Sequence, residues 1–323
     1  MNPNTSDDIW VIGAGAIGML LAAKLQQTGS RTTVWCRTRE QAEHIQTAGI
    51  CIEEDHKVDT VYPGVSVLHT ELPFSGQPAR PAAVLLCVKQ TAIRHELIQA
   101  IRERIEPEVP LICFQNGMGH IESLQVVFQQ VWPAITTEAA LKTGSNQVRH
   151  TGRGVTRVGS LSLKEDGDPV DPGMLNTVIS CMEKAGFVVQ MSKNMKTEMW
   201  RKLAINALIN PLTALFRIRN GQLLGNTHLE GIMQQLLEEI RRAAACEDVT
   251  AGMPEWEDIV QVCRSTADNQ SSMLQDVMHH RPTELRWITG YVLDTAGRHQ
   301  LRLEKNEQLF ELVLALEAVY MTS

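Results

Sequence analysis

Ile9-Trp10-Val11-Ile12-Gly13-Ala14-Gly15-Ala16-Ile17-Gly18 is the stretch on which the fold turns. A β-branched run, a glycine-rich turn and the start of an apolar helical pattern follow without a gap, and the turn reads G-x-G-x-x-G. The pattern alone is common. Its place between a strand and a helix gives it meaning. The first glycine permits the tight turn, the second lets a pyrophosphate approach the backbone, and the third lets helix and strand pack closely. The helix start then offers free N–H groups and a positive dipole end to an anion. The plainer alternative is a glycine turn that serves packing alone.

Outward from this stretch, residues 31–36 read as a second strand and 40–48 as a second helix. Apolar runs of strand length at 83–88 and 111–114 precede helical patterns over 91–105 and 120–130. Alternating apolar strands and helices describe a mostly parallel, doubly wound sheet covered on both faces. From 148 to 163 the chain turns to short extended segments, followed by a helix over 172–185 and a strand over 187–190. Strand signals then fade, and helices are expected at 197–216, 229–246, 255–268, 272–278, 283–299 and 306–320. The expected organisation is an α/β N-terminal domain over residues 1–193 followed by an all-α C-terminal domain over 194–323.

Bulk properties agree with this plan and exclude several others. The chain has 323 residues, and at ~150 residues per domain that is about two domains. Hydrophobic residues are 43% and charged residues 21%, the range of a folded globular chain. Thirty Lys and Arg against 37 Asp and Glu give a net charge of −7, which disfavours nucleic acid as a partner because that needs a basic face. No apolar run approaches the ~18 residues of a membrane span, and residues 9–23, the most apolar early stretch, lack the basic flank of a secretory signal. The seven cysteines form no CxxC pair and several sit inside apolar runs, as expected of reduced core residues in a cytoplasmic protein. Neither an HExxH motif nor a Cys/His cluster suggests a metal. Without a secretory signal, the sequons Asn4-Thr5-Ser6 and Asn269-Gln270-Ser271 carry no weight.

The second strand ends Val34-Trp35-Cys36-Arg37-Thr38-Arg39, with no acid before Glu40. Sites for NAD place Asp or Glu here on the ribose 2′-hydroxyl, whereas an arginine accommodates a 2′-phosphate. Arg37 therefore points to NADP(H); the alternative is that Arg37 and Arg39 are solvated loop charges. Lys89 and Asn116 each follow an apolar strand, where ligands bind in such sheets, and Gly117-Met118-Gly119 lets the chain turn sharply beside Asn116.

The helical pattern over 197–216 is apolar nearly all round, yet Lys202, Asn206 and Asn210 recur at i, i+4 and i+8. A lysine and two carboxamides on a buried helix need partners. They make either an internal polar seam or the wall of a site for an oxygen-rich ligand. Pro211 is expected to kink or break the helix where Asn210 points. Ser272 and Gln275 fit a capping box at the next helix start, where Ser272 is either a plain cap or a holder of a carboxylate. Glu284, in the first turn after Pro282, either suits the helix dipole or partners Lys202.

These stretches together resemble the ketopantoate reductase (2-dehydropantoate 2-reductase) family. They are 12–18, Asn116-Gly117-Met118-Gly119, Trp200-Arg201-Lys202-Leu203-Ala204-Ile205-Asn206, Ile209-Asn210-Pro211-Leu212-Thr213-Ala214, Asn220-Gly221, Ser271-Ser272-Met273-Leu274-Gln275-Asp276 and Thr283-Glu284, in order over almost the whole chain. The glycine loop is generic, while the Trp-Arg-Lys-Leu and Ser-Ser-Met-Leu-Gln-Asp segments are far more specific. The resemblance implies an N-terminal Rossmann domain, a helical C-terminal domain and NADPH as cofactor. It puts the family's catalytic lysine on Lys202 and its glutamate on Glu284, which serves catalysis and the cofactor. It puts cofactor contacts on Gly13, Ala14, Gly15, Ala16, Ile17, Gly18, Lys89 and Ala140, and contacts to both ligands on Asn116. Substrate contacts fall on Lys202 itself, Asn206, Asn210, Asn220 and Ser272. Ala134 stands where related chains often carry glycine, a departure expected to change little.

The implied reaction is reduction of ketopantoate to pantoate in pantothenate and coenzyme A biosynthesis, with Lys202 as general acid, in a monomer or homodimer. Burial would lower the lysine's pKa and Glu284 would raise it. The rivals are a reductase of another 2-oxo acid on the same fold and a non-catalytic NADP-binding sensor. The sensor has no need of Lys202 with Asn206, Asn210 and Glu284.

Overall fold

The computed structural model describes residues 6–68, 76, 78–161 and 173–321. Asn4 and Thr5 of the first sequon, residues 162–163 of the extended run and Pro172 at the head of the expected fifth helix lie outside them. The chain divides into two compact units, Met1–Gln115 with His120–Met195, and Asn116–Gly119 with Lys196–Ser323. Four residues from the first half thus group with the helical unit.

The first unit contains β1 (Ser6–Ile12), α1 (Ala16–Gln27), β2 (Thr32–Cys36), α2 (Arg39–Ala48), β3 (Ile50–Glu54), β4 (Lys57–Val61), β5 (Gly64–Val67), β6 (Pro81–Leu86), α3 (His95–Arg102), β7 (Leu111–Cys113), α4 (His120–Gln125), β8 (Val131–Thr136), β9 (Ala139–Lys142), β10 (Gln147–Gly152), β11 (Val155–Val158), α5 (Gly173–Lys184) and β12 (Val188–Met191). Eight strands form one sheet in the order β12-β11-β8-β7-β6-β1-β2-β5. All neighbours are parallel except β8 and β11. β1 lies between β2 and β6, so the strand order reverses beside it. In open α/β sheets the carboxyl ends at such a point form the ligand crevice. β7 is buried throughout and β6 nearly so, which is why both read as unbroken apolar runs.

A second sheet, β4-β3-β10-β9, was not expected as a sheet; only β10 falls in the extended run read from residue 148. Its strands are short, and β4 is exposed except at Val61, so they lack a continuous apolar signal. This sheet explains α1. Met19, Leu20, Leu21, Ala22, Ala23 and Leu25 are all buried because α1 packs against β2, β3, β9, β10 and α5. Lys24, the lone charge of α1, reaches Glu54 on β3 at 2.8 Å.

Two helices of this unit are markedly shorter than their patterns suggested. The expected helix over 91–105 is a 3-10 turn (Gln90–Ala92) followed by α3, and α4 stops at Gln125 instead of running to 130. The Leu124 carbonyl accepts from both Val127 and Phe128, which turns the chain toward β8.

The second unit is helical: α6 (Met195–Phe216), a 3-10 turn (Asn220–Leu223), α7 (Thr227–Ala245), α8 (Trp256–Ser265), α9 (Ser272–Met278), α10 (Leu285–Arg298) and α11 (Glu304–Met321). α6 does not break at Pro211, contrary to one of the two expectations; its 22 residues run through the proline. Thr213 lies beyond the point where the ring removes a donor, and its hydroxyl donates to the carbonyls of Ile209 and Asn210 at 2.7 and 3.0 Å. Trp200, Leu203, Ala204, Ala207, Leu208 and Leu212 are buried, which makes α6 the core helix of the unit.

Candidate active site

The glycine loop is built as its spacing demands. Gly13 has φ +108°, and a Cβ there would stand 2.8 Å from the Val88 nitrogen. A Cβ on Gly18 would overlap the Gly13 carbonyl oxygen. Gly15 is the opposite case: it is exposed, and nothing lies within 4 Å of where its Cβ would be. It forms the N-cap of α1 without a side-chain cap, and the first turn of α1 carries no acid. Open space over uncapped N–H groups fits a pyrophosphate, so the loop is chemically suited to a dinucleotide. Ala14 is buried, while Ala16 and Ile17 are half-buried, with Ile17 packed on the core.

Arg37 is exposed just past β2, and Thr38 behind it caps α2 by accepting from the Gln41 N–H at 3.3 Å. Lys89 is exposed just past β6, at the head of the 3-10 turn. Ala140 is half-buried in β9, opposite His150 of β10. Three residues that the sequence patterns did not mark brace this region. Gln115 Nε2 donates to the carbonyls of Leu86 and Val88 at 2.8 and 2.9 Å, holding the end of β6. Gln41 Nε2 and Lys142 Nζ both donate to the Ala14 carbonyl, at 2.9 and 3.1 Å. They come from distant parts of the chain, so spacing carries no trace of them.

The other candidates all belong to the helical unit. Lys202 and Asn206 are half-buried on α6 and Asn210 is buried. Glu284, also buried, is the N-cap of α10 but makes no side-chain capping bond. Its carboxylate instead acts on Lys202. Burial is the larger influence and pulls the Lys202 pKa from 10.5 to about 8, while the charge of Glu284 pushes it back up. A lysine with that value keeps its proton at neutral pH yet gives it up far more readily than a solvated one.

The remaining segments are held by bonds of their own within the helical unit. Ser271, not Ser272, caps α9: its Oγ accepts from the Leu274 N–H at 3.1 Å and lies 2.7 Å from Thr213 Oγ1 on α6. The expected capping box of Ser272 and Gln275 does not form: the cap sits one residue earlier, where Ser271 also meets Thr213, and Gln275 Nε2 donates to the Gln270 carbonyl at 3.1 Å. Ser272 becomes the first helical residue and its side chain is exposed. Asn220 is buried, with its Nδ2 donating to Thr266 Oγ1 at 3.0 Å and its N–H to the Asn269 carbonyl at 3.1 Å. Its Oδ1, also buried, has no hydrogen-bond partner among the described residues.

Asn116 is half-buried in a loop with Gly117 and Gly119 at positive φ. The Met118 N–H donates to the Trp287 carbonyl at 3.0 Å. The Tyr291 ring lies 3.4 Å from where a Gly119 Cβ would stand. Tyr291 also meets the buried Trp200 edge-on at 5.9 Å, two residues before Lys202. Thus α10 joins the Asn116 loop, the Lys202 helix and Glu284. Among the described residues, no group of His, Cys, Asp and Glu is arranged to hold a metal.

Residues 9–162 match the family model "Ketopantoate reductase PanE/ApbA", and residues 194–317 match "Ketopantoate reductase PanE/ApbA C terminal". The chain belongs to the ketopantoate reductase family. It is 31% identical to the 2-dehydropantoate 2-reductase of Escherichia coli O157:H7, with 97% of this chain and 96% of that one covered. A ketopantoate reductase structure from Ralstonia eutropha JMP134 superposes with a TM-score of 0.82 at 22% identity, covering 97% of this chain and 99% of that one. A D-mandelate dehydrogenase solved with NADH and anilino(oxo)acetate reaches 0.84 at 20% identity over the same shares. At these identities the structural matches establish the shared fold. Among the described residues no helix is long and apolar enough to cross a membrane.

Proposed function

We propose that this member of the ketopantoate reductase family reduces ketopantoate to pantoate with NADPH, a step of pantothenate and coenzyme A biosynthesis. The observation that carries the reading is Lys202, held near a pKa of about 8 by burial against the charge of Glu284, on a helix with carboxamides at i+4 and i+8. Residues 1–193 serve mainly the cofactor and 194–323 mainly the substrate, Asn116 and Glu284 being the exceptions.

The glycine loop from Gly13 to Gly18, with Arg37, Lys89, Asn116, Ala140 and Glu284, would hold NADPH. When bound, it supplies the hydride for C2 of the 2-oxo acid. Negative charge grows on the C2 oxygen as that carbon is reduced, and Lys202 Nζ delivers a proton to it. Glu284 keeps enough charge on Lys202 for this at neutral pH. The exposed Ser272 hydroxyl at the start of α9 receives the substrate carboxylate, and Asn116, Asn206, Asn210 and Asn220 hold its remaining oxygens. The unpartnered Oδ1 of Asn220 suits a substrate hydroxyl, which donates to it. The protein acts as a monomer or homodimer in the cytoplasm, and its seven free cysteines suit that compartment.

One observation favours a second reading, reduction of a different 2-oxo acid: the fold is shared with a D-mandelate dehydrogenase at a TM-score of 0.84. NADPH oxidation followed against a panel of 2-oxo acids decides between them. Ketopantoate is expected to give the highest kcat/KM. Preference for another acid would install the second reading, and no turnover on any would leave a binding protein.

A further inference from the structure

Lys142 occupies a junction that no sequence pattern announces. It ends β9, 128 positions along the chain from Ala14, yet its Nζ donates to the Ala14 carbonyl inside the glycine loop at 3.1 Å. The same carbonyl accepts from Gln41 Nε2 at 2.9 Å, and Gln41 also holds the Ser145 carbonyl at 2.7 Å. Gln41 lies in the first turn of α2, whose cap, Thr38, directly follows Arg37. One carbonyl therefore ties together the loop suited to a pyrophosphate, the turn after β2 and the end of β9. The charge of Lys142 also reaches Cys36, the last residue of β2, where it opposes the upward push of burial on the thiol.

In an open α/β sheet the end of the second strand is where the ribose 2′-substituent of a dinucleotide is read. Because Gln41 holds the Ala14 carbonyl independently, the loop stays anchored if Lys142 turns toward an anion. Lys142 is exposed, and a lysine is a compact charge on a flexible stem with three donors, able to serve a carbonyl and a phosphate together.

We infer that Lys142 is a second cation for the 2′-phosphate of NADPH, setting with Arg37 the preference for NADPH over NADH. This rests on the NADPH reading above and adds a residue from a different sheet to the discrimination. It also assigns work to the second sheet, which carries that charge to the crevice of the first.

The test is Lys142→Gln, which keeps a donor for the Ala14 carbonyl and removes the charge. The full-length protein is titrated separately with NADPH and NADH, without substrate, by nicotinamide fluorescence. The variant is expected to weaken NADPH about tenfold, the scale of one charged hydrogen bond, and to leave NADH nearly unchanged. Its retained NADH binding reports an intact fold, and the gap should narrow as salt screens the phosphate. Equal weakening of both nucleotides would mean that Lys142 only braces the loop, and would overturn the inference, as would two unchanged affinities. A wild-type protein that binds NADH as tightly as NADPH would instead overturn the underlying NADPH reading.

Discussion

The glycine loop of the sheet unit and the polar cluster of the helical unit are built by opposite means. The loop works through backbone: Gly13 and Gly18 permit a close approach, Gly15 leaves open space, and the start of α1 carries no side-chain cap. The cluster works through side chains, carried by α6, the Asn220 turn, α9, α10 and the Asn116 loop. A backbone site depends on shape over a few consecutive residues. A side-chain site depends on helix packing that brings distant segments together. Damage to the first should therefore act through sterics and binding, and damage to the second through chemistry.

The largest effect is expected on the chemical side. Lys202→Ala should lower kcat by about 10²–10⁴-fold while the NADPH dissociation constant moves little. Steady-state kinetics with a fluorescence titration measure both, and an unchanged kcat would remove Lys202 from the reaction.

Next comes the loop. Gly18→Ala puts a methyl into the Gly13 carbonyl and should cost about 1–3 kcal/mol of stability along with NADPH binding. Gly15→Ala meets no protein atom, so Tm should hold while NADPH affinity falls. If the two variants behave alike in thermal melts, the division between packing glycine and ligand glycine is wrong.

The two serines sharpen the contrast within the helical unit. Ser271→Ala removes the cap of α9 and its tie to Thr213, and should destabilise the protein by about 1 kcal/mol. Ser272→Ala should leave the melt unchanged and raise KM for the 2-oxo acid. The reverse pattern would return the cap to Ser272.

The smallest effect concerns pH. Lys202 must carry a proton to act as acid, so activity should fall as pH rises through about 8, the value set by burial against Glu284. Glu284→Gln removes the influence that raises this pKa, so the alkaline limb should move to lower pH. A limb that stays put in the pH–rate profile would mean that Glu284 does not tune Lys202.

Much of the large sheet was legible because residues 9–12 of β1, together with β6 and β7, are consecutive apolar residues, and burial writes itself into composition. The small sheet was not, because its strands are short and half solvated. The stripe of Lys202, Asn206 and Asn210 was legible as a helical period. Whether it met a partner was not, since Glu284 lies 82 positions away, the difference of 284 and 202. The displaced cap has the same origin: Ser271 and Ser272 are chemically identical, and only Thr213 on a different helix distinguishes them.

The sequence by itself determined the strand–loop–helix entry, the arginine after the second strand, the helical second half and the spacing of the polar stripe. These depend on local conformational limits and on periods of two and 3.6 residues. Tertiary structure decided that α6 runs through Pro211, that the Asn116 loop groups with the helices, that Lys202 titrates near 8, and that Lys142 reaches the glycine loop. Each of these depends on groups far apart in the chain, where desolvation and charge are set by neighbours that no local pattern records.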